Sequence, residues 1–339
     1  MMNRSNINRD SGGLFSIKFK FKAMRFMVFF LTIATLGFST GAISQTFKFV
    51  ALGDMPYSPP KDFQRFETLV TEINQLKPSF SIFVGDTKSG SSLCSDAHNK
   101  TIKQYFSSFK DALIYSPGDN EWTDCHGPLA GAYDPLERLE TLRTEFFNSN
   151  LSLGGKPISL QRQSDIDPIN LKFVENSYWI KNNFLFVSLH IPGSNNNNEG
   201  AKSAIEEYQD RNRANLAWID QAFNLASQKN INGIIFAYQA DMFYKPSQLT
   251  NSDSGYRDTL EILISRSEIF KKPVLLIHGD SHRLKIDQPL FNKNHKKVLE
   301  NVLRLQVMGA DQVQAVEVQV NPAQEQPFSF RPIVIRENY

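Results

Sequence analysis

The stretch Ser116-Pro-Gly-Asp-Asn-Glu-Trp-Thr-Asp-Cys-His126 places three polar side chains in one tight turn, directly after the apolar run Ala112-Leu-Ile-Tyr115. A Pro-Gly pair at the end of a buried run is typical of a turn that follows a strand. Open α/β sheets build their binding sites just past the carboxyl ends of their strands. The side chains of Asp119, Asn120 and Glu121 therefore form a candidate site.

Three further segments have the same form: an apolar β-prone run, a glycine that permits a close turn, and then an acid. They are Phe49–Leu52 followed by Gly53-Asp54, Phe80–Val84 followed by Gly85-Asp86, and Pro273–Ile277 followed by His278-Gly-Asp-Ser-His282. One acid at a strand end is more often a helix cap or a turn residue, and structural capping by all four acids would require four coincidences. Four carboxylates meeting at one sheet edge repel one another unless cations neutralise them. The set predicts a metal site.

The order Gly-Asp, Gly-Asp-x-x-x-Gly, Gly-Asp-Asn-Glu and Gly-Asp-Ser-His resembles the motif order of the calcineurin-like metallophosphoesterase superfamily. The motifs of that superfamily read GDxH, GDxxxxG, GNHD/E, a lone His and GHxH. The resemblance extends from about Phe47 to about Val320. It implies an α/β fold, a four-layer αββα sandwich of two mixed sheets flanked by helices, with one calcineurin-like phosphoesterase domain over residues 45–339.

Several motif positions carry other residues. Pro56 replaces the His of GDxH, Asp119 and Asn120 replace the Asn and His of GNHD/E, Asp280 replaces the first His of GHxH, and the lone His falls on Gln239. The chain is therefore either a divergent branch with altered ligands or a member that has lost the chemistry. The first interpretation is favoured because Asp119 and Asp280 are replacements that still bind metal.

Carried over position by position, the resemblance implies two divalent metal ions. Asp54, Asp86 and His282 would hold one ion, and Asp86, Asp119, Gln239 and Asp280 would hold the other, with Asp86 bridging. Two such ions about 3.5–4 Å apart can activate a shared water and stabilise an in-line displacement at phosphorus. Exchange of imidazole for carboxylate and amide oxygens makes the ligands harder, which favours Mn²⁺, Mg²⁺ or Ca²⁺ over Zn²⁺, with iron a further option.

Three more residues are candidate catalytic groups. In the family, the His at the position of Asn120 contacts the leaving-group oxygen, and an amide can donate a hydrogen bond there but cannot deliver a proton. Loss of general-acid catalysis typically lowers the rate by about 10²–10⁴-fold, so the hydrolysis of substrates with good leaving groups would be slowed least. Lys88 either holds a substrate phosphate or is a solvated loop lysine. Glu121 either orients Asn120 or caps a helix.

These residues predict a metallophosphoesterase, a hydrolase of phosphoric ester bonds that acts on small phosphorylated compounds through metal-activated water. The alternative is a binding protein that keeps the fold and hydrolyses nothing.

The first 44 residues have the form of a cleavable signal peptide. Lys18, Lys20, Lys22 and Arg25 precede the apolar run Phe26–Phe38, and Ala42-x-Ser44 stands before Gln45. The apolar run is too short to span a bilayer, and small residues mark a cleavage site. We expect a periplasmic or secreted protein that is free of the membrane after cleavage. An uncleaved membrane anchor is the alternative.

The charge of the predicted mature chain gives no sign of nucleic-acid binding. The whole chain has 37 Lys and Arg against 35 Asp and Glu. Residues 1–44 contain six of the basic and one of the acidic residues, so the remainder has 31 basic and 34 acidic residues, a net charge of −3. A nucleic-acid surface requires clustered Lys and Arg, which this mildly acidic chain lacks.

The two cysteines follow two of the acid turns. Cys94 comes after Asp86, and Cys125 comes after Asp119. A fold that brings the two aspartates together also brings the two sulfurs close to each other. In an oxidising compartment a disulfide is favoured over two free buried thiols.

Between the acid turns, apolar residues recur at helical spacing, which predicts an α/β architecture. The predicted helices are Pro60–Leu76, Ile102–Phe109, Leu136–Phe147 and Ala204–Ala226. The composition of the polar segment Leu151–Asn170 indicates only a long loop.

The second half of the chain is richer in strand patterns. Tyr178–Ile180 and Phe184–Leu189 are predicted to form a hairpin with an Asn-Asn turn. His190, at its end, is either structural or part of the site, together with Asn195 and Asn196; the run Asn195–Asn198 indicates a flexible loop. Val302–Val307, Gln312–Val320 and Phe328–Ile335 are predicted to be antiparallel strands of a second sheet.

Overall fold

The computed structural model describes residues 45–294 and 296–338. The predicted signal peptide, residues 1–44, lies outside the described residues. The strands are β1 (Phe47–Leu52), β2 (Ser81–Phe83), β3 (Ala112–Tyr115), β4 (Leu153–Gly154), β5 (Gln161–Arg162), β6 (Ser177–Lys181), β7 (Phe184–Ser188), β8 (Gly233–Ala237), β9 (Val274–His278), β10 (Lys285–Asp287), β11 (Val302–Gln306), β12 (Ala315–Val320) and β13 (Phe328–Ile333). The helices are α1 (Lys61–Leu76), α2 (Asp96–Ser107), α3 (Pro135–Phe146), α4 (Gln163–Ile166), α5 (Gly193–Asn196), α6 (Lys202–Gln228) and α7 (Arg257–Phe270), with 3₁₀ turns at Thr123–His126, Pro246–Leu249 and Arg336–Asn338.

The strands form two mixed sheets. The first has the order β13-β12-β1-β2-β3-β4, and the second has the order β10-β11-β9-β8-β7-β6-β5. In the first sheet β1, β2 and β3 are parallel, so their carboxyl ends lie at one edge. In the second sheet β7, β8, β9 and β11 are parallel and likewise end together.

The two sheets pack face to face through an apolar layer, because side chains alternate across each strand. Phe49 of β1 is fully buried in this layer and meets Phe186 of β7 edge to face, with ring centroids 5.4 Å apart. The alternate residues Val50 and Leu52 face the other way, into a second core with α1, α2 and α3. Helices α6 and α7 cover the outer face of the second sheet. Two mixed sheets flanked by helices are the predicted αββα sandwich.

The strands after His282 differ from the prediction. β11 is parallel to β9 and belongs to the second sheet, whereas β12 and β13 are antiparallel strands of the first sheet, beside β1. The prediction that all three form an antiparallel second sheet is therefore wrong. The alternation of apolar and polar residues within a strand indicates which face of the strand is buried. It does not indicate which distant strand is the pairing partner.

Two local predictions are also corrected. The segment Leu151–Asn170 contains the short strands β4 and β5 and the single turn α4, which the loop prediction missed because each is only two to four residues long. Helix α2 begins at Asp96, six residues before the predicted start, because the Ser95 hydroxyl caps the backbone N–H of His98. No helix in the described ranges is long and apolar enough to cross a membrane.

Candidate metal centre

The acid turns are distributed over both sheets, not along one sheet edge as predicted. Asp54, Asp86 and Asp119 follow β1, β2 and β3 of the first sheet, whereas Asp280 and His282 follow β9 of the second. Because the sheets face each other, the carboxyl ends of their parallel strands converge on one cleft. The four turns therefore meet between the sheets.

Glycines allow the turns to approach one another closely. A Cβ built on Gly118 would lie 2.0 Å from Asp86 Oδ1, and one built on Gly279 would lie 2.1 Å from Asp54 Oδ2. Any larger residue would displace these carboxylates. The backbone of Asp86 is itself in the left-handed region, with a φ of 58°. Strained backbone of this kind is concentrated at functional sites.

Asp54, Asp86 and His282 form a group that could hold a metal ion, since one ligand atom from each lies within 4.8 Å of the others. Both aspartates are buried, and His282 is partly exposed toward the cleft. Its Nε2 lies 3.8 Å from Asp54 Oδ1. This is the ligand set that the resemblance implied for the first ion, and it is the one group of three His, Cys, Asp or Glu ligands found among residues 45–294 and 296–338.

Tyr57 is a site residue that the sequence comparison missed. Its hydroxyl donates to Asp86 Oδ2 at 2.8 Å and lies 3.3 Å from His282 Nε2. Burial and the neighbouring carboxylates hold the pKa of Tyr57 well above its usual value. The family motif has its ligand at the position of Pro56, and the next residue, Tyr57, belongs to no motif. Only the geometry of the turn brings the Tyr57 side chain into the cleft.

Asn120 is hydrogen-bonded to Asp86, the aspartate that is predicted to bridge the two ions. Its backbone N–H donates to Asp86 Oδ1 at 3.2 Å, and its Nδ2 lies within hydrogen-bond distance of Asp86 Oδ2 (2.8 Å), the Tyr57 hydroxyl (3.1 Å) and the Lys88 carbonyl (3.0 Å). Glu121 does not orient this amide, as one of the two predicted roles required. Its Oε1 accepts instead from the Thr87 backbone at 2.8 Å and the Tyr115 hydroxyl at 3.0 Å.

Lys88 is buried, so the interpretation as a solvated loop lysine is wrong. The side chain donates from Nζ to the Ser89 carbonyl at 3.1 Å and is only 2% exposed. Burial lowers its pKa, while Glu121 and Asp86 oppose that shift. A buried cation beside a carboxylate cluster supplies part of the neutralising charge.

Asp119 contacts the loop that follows β7. Its Oδ2 accepts from the Ser194 hydroxyl at 2.8 Å, and its Oδ1 is buried without a hydrogen-bond partner among the described residues. The same hydroxyl lies 2.7 Å from Asp124 Oδ1. Neither Ser194 nor Asp124 belongs to a motif of the family pattern, so the sequence comparison did not find them.

Gln239 and Asp280 close the second half of the cleft. The Gly193 N–H donates to Gln239 Oε1, and the Gln239 amide nitrogen is buried without a hydrogen-bond partner among the described residues. Asp280 Oδ2 accepts from the Asp241 backbone N–H at 2.8 Å, and Asp280 N–H donates to Asp54 Oδ1 at 2.9 Å. Hydrogen bonds across the sheet gap thus connect the second-sheet turns to the first-sheet turns.

The electrostatics of the cluster favour a bound cation. Burial is the largest cause of the raised pKa values of Asp54 and Asp86, and the neighbouring acids add to it. Burial and Asp280 raise the pKa of Asp119 to about 8, and burial raises that of Asp280 to about 6. A divalent cation reverses this effect, since it favours the charged carboxylates. The residues present therefore fit a cation.

His190 is structural in its contacts. It is fully buried, and its Nδ1 is hydrogen-bonded to Glu175 Oε1 at 2.8 Å. Its ring packs edge to face against Trp122. Asn195 likewise fixes a loop, since it donates to the Asp253 carbonyl and accepts from Gly255 N–H. The run Asn195–Asn198 is consequently part of a hydrogen-bonded turn, in which Ser194 to Asn197 have left-handed backbone, and not the flexible loop that was predicted.

Cys94 and Cys125 are joined in a disulfide, which confirms the predicted bridge. The Cys94 and Cys125 sulfurs lie 3.6 and 3.7 Å from the Asn120 carbonyl oxygen. Both cysteines are buried, so the bridge supports the Asn120 turn from behind.

No protein-family model and no curated protein matches the sequence. Among solved structures, the chain is similar to a dimetal phosphatase from Danio rerio, with 11% identity and a TM-score of 0.50 over 85% of this chain and 98% of that chain. It is also similar to GAP50, the anchor in the inner membrane complex of Plasmodium (9% identity, TM-score 0.48, 86% and 89% covered), and to a purple acid phosphatase from yellow lupin seeds (13%, 0.45, 87% and 55%). At such identities the likeness concerns the fold. The chain has the sandwich fold of the calcineurin-like metallophosphoesterases, with its acid turns gathered between the two sheets.

Proposed function

We propose that the protein is an exported, metal-dependent phosphoesterase that hydrolyses small phosphorylated compounds. The observation that carries this proposal is the convergence of Asp54, Asp86 and His282, from three separate strands of two sheets, within 4.8 Å. Packing alone does not explain three buried or half-buried polar side chains at matching turns, because burying polar groups costs free energy that apolar side chains would not cost.

The residues that would hold the ions are those of the two halves of the cleft. Asp54, Asp86 and His282 would bind the first ion. Asp86, Asp119, Gln239 and Asp280, which follow β2, β3, β8 and β9, would bind the second. When bound, a pair of divalent ions supplies an activated water and charge stabilisation for displacement at phosphorus. The donors are mainly oxygens, so Mn²⁺, Mg²⁺ or Ca²⁺ are expected over Zn²⁺, with iron as the further option.

The chain's own residues would position the substrate. A cavity of about 1010 Å³ opens beside the cluster and is lined in part by Ser194, Asp280, His282, Tyr244 and Arg283. Its size suits a small phosphorylated molecule. The Tyr57 hydroxyl would hold the side chains of Asp86 and His282 in position, and Lys88 would add positive charge beside the cluster.

Asp86→Asn tests the proposal. We expect the variant to lose both metal retention and hydrolysis of an aryl phosphate, because its carboxylate would contribute to both coordination spheres. Asp96→Asn is the matched control: its side chain is 67% exposed at the start of α2 and pairs with Arg138, so we expect it to keep both properties. Metal content by mass spectrometry and phosphate release are the two measurements.

The folding of the variants must be compared as well. Removal of one carboxylate from a repelling cluster should leave the metal-free Asp86→Asn protein at least as stable as its parent. Thermal unfolding with and without Mn²⁺ measures this. Retention of metal and full activity by Asp86→Asn would refute the two-ion site.

A specific observation favours the second candidate function, a metal-binding protein without hydrolytic activity. The Asn120 amide is already engaged with Asp86, Tyr57 and Lys88, so it is not free to donate to a leaving group. A parent protein that binds metal but releases no phosphate from any of a panel of aryl, alkyl and diester substrates would support this candidate.

A further inference from the structure

The Tyr57 hydroxyl lies among the three side chains that could hold the first ion. It donates to Asp86 Oδ2 at 2.8 Å, and its oxygen lies 3.3 Å from His282 Nε2. His282 Nε2 is in turn 3.8 Å from Asp54 Oδ1. Ligand atoms of an octahedral ion of the size of Mg²⁺ are about 2.9 Å apart when adjacent and about 4.1 Å apart when opposite. The Tyr57 oxygen therefore has the spacing of a ligand atom relative to its neighbours.

A buried carboxylate oxygen without a partner belongs to the same group. Asp54 is fully buried, and its Oδ1 accepts from the Asp280 backbone N–H at 2.9 Å. Its Oδ2 has no hydrogen-bond partner among the described residues. An unpaired buried carboxylate oxygen costs free energy unless a ligand satisfies it. The group that surrounds the Tyr57 hydroxyl is thus incomplete without a cation.

Asn120 gives the Tyr57 oxygen a second partner. The Asn120 Nδ2 atom lies 3.1 Å from the Tyr57 oxygen and 2.8 Å from Asp86 Oδ2. An amide nitrogen only donates, so the Tyr57 oxygen accepts in this contact. A bound divalent ion favours the deprotonated form of its ligands. When the hydroxyl proton leaves, the hydrogen bond from Asn120 therefore remains to stabilise the phenolate.

A buried ion pair fixes the position of Tyr57. The Oδ2 atom of Asp62 accepts from the backbone N–H groups of Tyr57 and Ser58 at 3.1 and 2.8 Å. Asp62 is buried, and its Oδ1 pairs with Arg65 at 2.9 Å. The Tyr57 ring also packs edge to face against His282, with ring centroids 5.3 Å apart. The fold thus holds the hydroxyl beside the ligand atoms.

We propose that the Tyr57 oxygen is a fourth ligand of the first ion, together with Asp54, Asp86 and His282. In this step the Tyr57 O–H bond breaks, an oxygen–metal bond forms, and the proton passes to solvent. The family motif has a histidine at the position of Pro56, whose side chain offers no ligand atom, and the tyrosine that follows supplies one instead. This inference rests on the proposed metal site and adds a ligand that the motif comparison did not include.

The test is a titration of the metal-free protein with Mn²⁺, followed by calorimetry and by ultraviolet difference spectra. We expect Mn²⁺ to produce the spectral change of one ionised tyrosine in the parent protein and none in Tyr57→Phe. The chain has ten tyrosines, so the variant assigns the signal. Tyr57→Phe should also bind one Mn²⁺ at least about tenfold more weakly, since even residues that only support a ligand typically contribute about 10–100-fold to affinity.

Tyr105→Phe is the matched control. The Tyr105 hydroxyl also donates to a carboxylate, Glu67 Oε1 at 3.0 Å, but this pair joins helices α2 and α1. We expect this variant to keep both the Mn²⁺ affinity and the spectral change. Thermal unfolding without metal shows whether each variant folds, and the spectrum of the parent protein tests the inference even where Tyr57→Phe does not fold.

Three results would overturn the inference. A parent spectrum that Mn²⁺ leaves unchanged would do so at any affinity of Tyr57→Phe, because a tyrosine that only positions Asp86 keeps its proton. A spectral change that persists in folded Tyr57→Phe would assign the signal to another tyrosine. Either result, with Mn²⁺ bound, leaves the proposed function standing. A parent protein that binds no Mn²⁺ would overturn both proposals.

Discussion

Asp119 illustrates how burial alters a carboxyl group. Burial, Asp280 and Asp124 raise its pKa to about 8, although hydrogen bonds from Ser194 and the backbone oppose the shift. The raised value reflects a cluster in which several acids share a small volume and Lys88 supplies only part of the counter-charge. The sequence predicted the proximity of these acids from their turns, and their mutual repulsion is the physical reason for expecting a cation.

The stability of the metal-free protein should fall as the pH rises. The folded-state pKa values of Asp280 and Asp119 are raised to about 6 and about 8, so the folded protein holds protons that the unfolded chain has released. Their contribution is complete below the ordinary pKa of an aspartate and is lost as the pH passes about 6 and then about 8. Thermal unfolding in a chelator from pH 5 to pH 9 should show a decreasing midpoint.

Added Mn²⁺ should remove most of this decrease, because a cation favours the charged carboxylates. Asp119→Asn should show a shallower decrease without metal than the parent protein. A midpoint that stays flat or rises across this pH range in the metal-free parent would contradict the electrostatic account of the cluster.

The turns that follow the strands are stabilised by different means in different elements. Helix α6 fixes the Ser194 loop through Arg211, whereas the disulfide between Cys94 and Cys125 supports the Asn120 turn. Neither support is part of the cluster itself. The positions of the predicted ligands thus depend on elements that the family motifs do not include.

The Cys94→Ser, Cys125→Ser double variant should be less stable and should bind metal more weakly. Loss of a native disulfide typically costs about 2–4 kcal/mol of unfolding free energy, since the unfolded chain is no longer constrained. Both sulfurs touch the Asn120 carbonyl, and Asn120 holds both oxygens of Asp86. Chemical denaturation without metal gives the first quantity, and Mn²⁺ titration gives the second.

Reduction of the parent protein is the matching control for this pair of substitutions. It should reproduce the weaker Mn²⁺ binding without any change of side chain. Equal Mn²⁺ affinity in the oxidised, reduced and double-variant proteins would show that the bridge stabilises the fold but does not support the Asn120 turn.

For the molecule as a whole, the position of β1 limits where the mature chain can begin. β1 starts at Phe47, lies between β12 and β2, and leads directly into Asp54. Removal of this strand would split the first sheet and displace a predicted ligand. Cleavage after Ser44 would leave it intact.

We therefore expect the exported protein to begin at or near Gln45 and to be free of the membrane. Expression of the full chain followed by fractionation and mass spectrometry of the amino terminus tests this expectation. A full-length product retained in the membrane would support the uncleaved-anchor alternative. A terminus beyond Phe47 would contradict the need for an intact β1.

Local sequence patterns determined the central strands, the helices α1, α3 and α6, and the positions of the acids, whereas helix α7 was not predicted. Apolar runs, alternation and Gly-Asp turns depend on residues close together in the chain, so β1, β2, β3 and β9 lie within one residue or two of their predicted bounds. The Asn182-Asn183 turn was predicted in the same way, and both residues adopt the positive φ that such a turn requires.

Only the tertiary structure decided which distant segments meet. The parallel pairing of β11 with β9, the hydroxyl of Tyr57 against Asp86, and the approach of Ser194 to Asp119 and Asp124 all join residues far apart in the chain. Strand patterning does not specify a pairing partner, and a lone Tyr or Ser carries no motif. These contacts arise because two sheets pack face to face and bring their strand ends into one cleft.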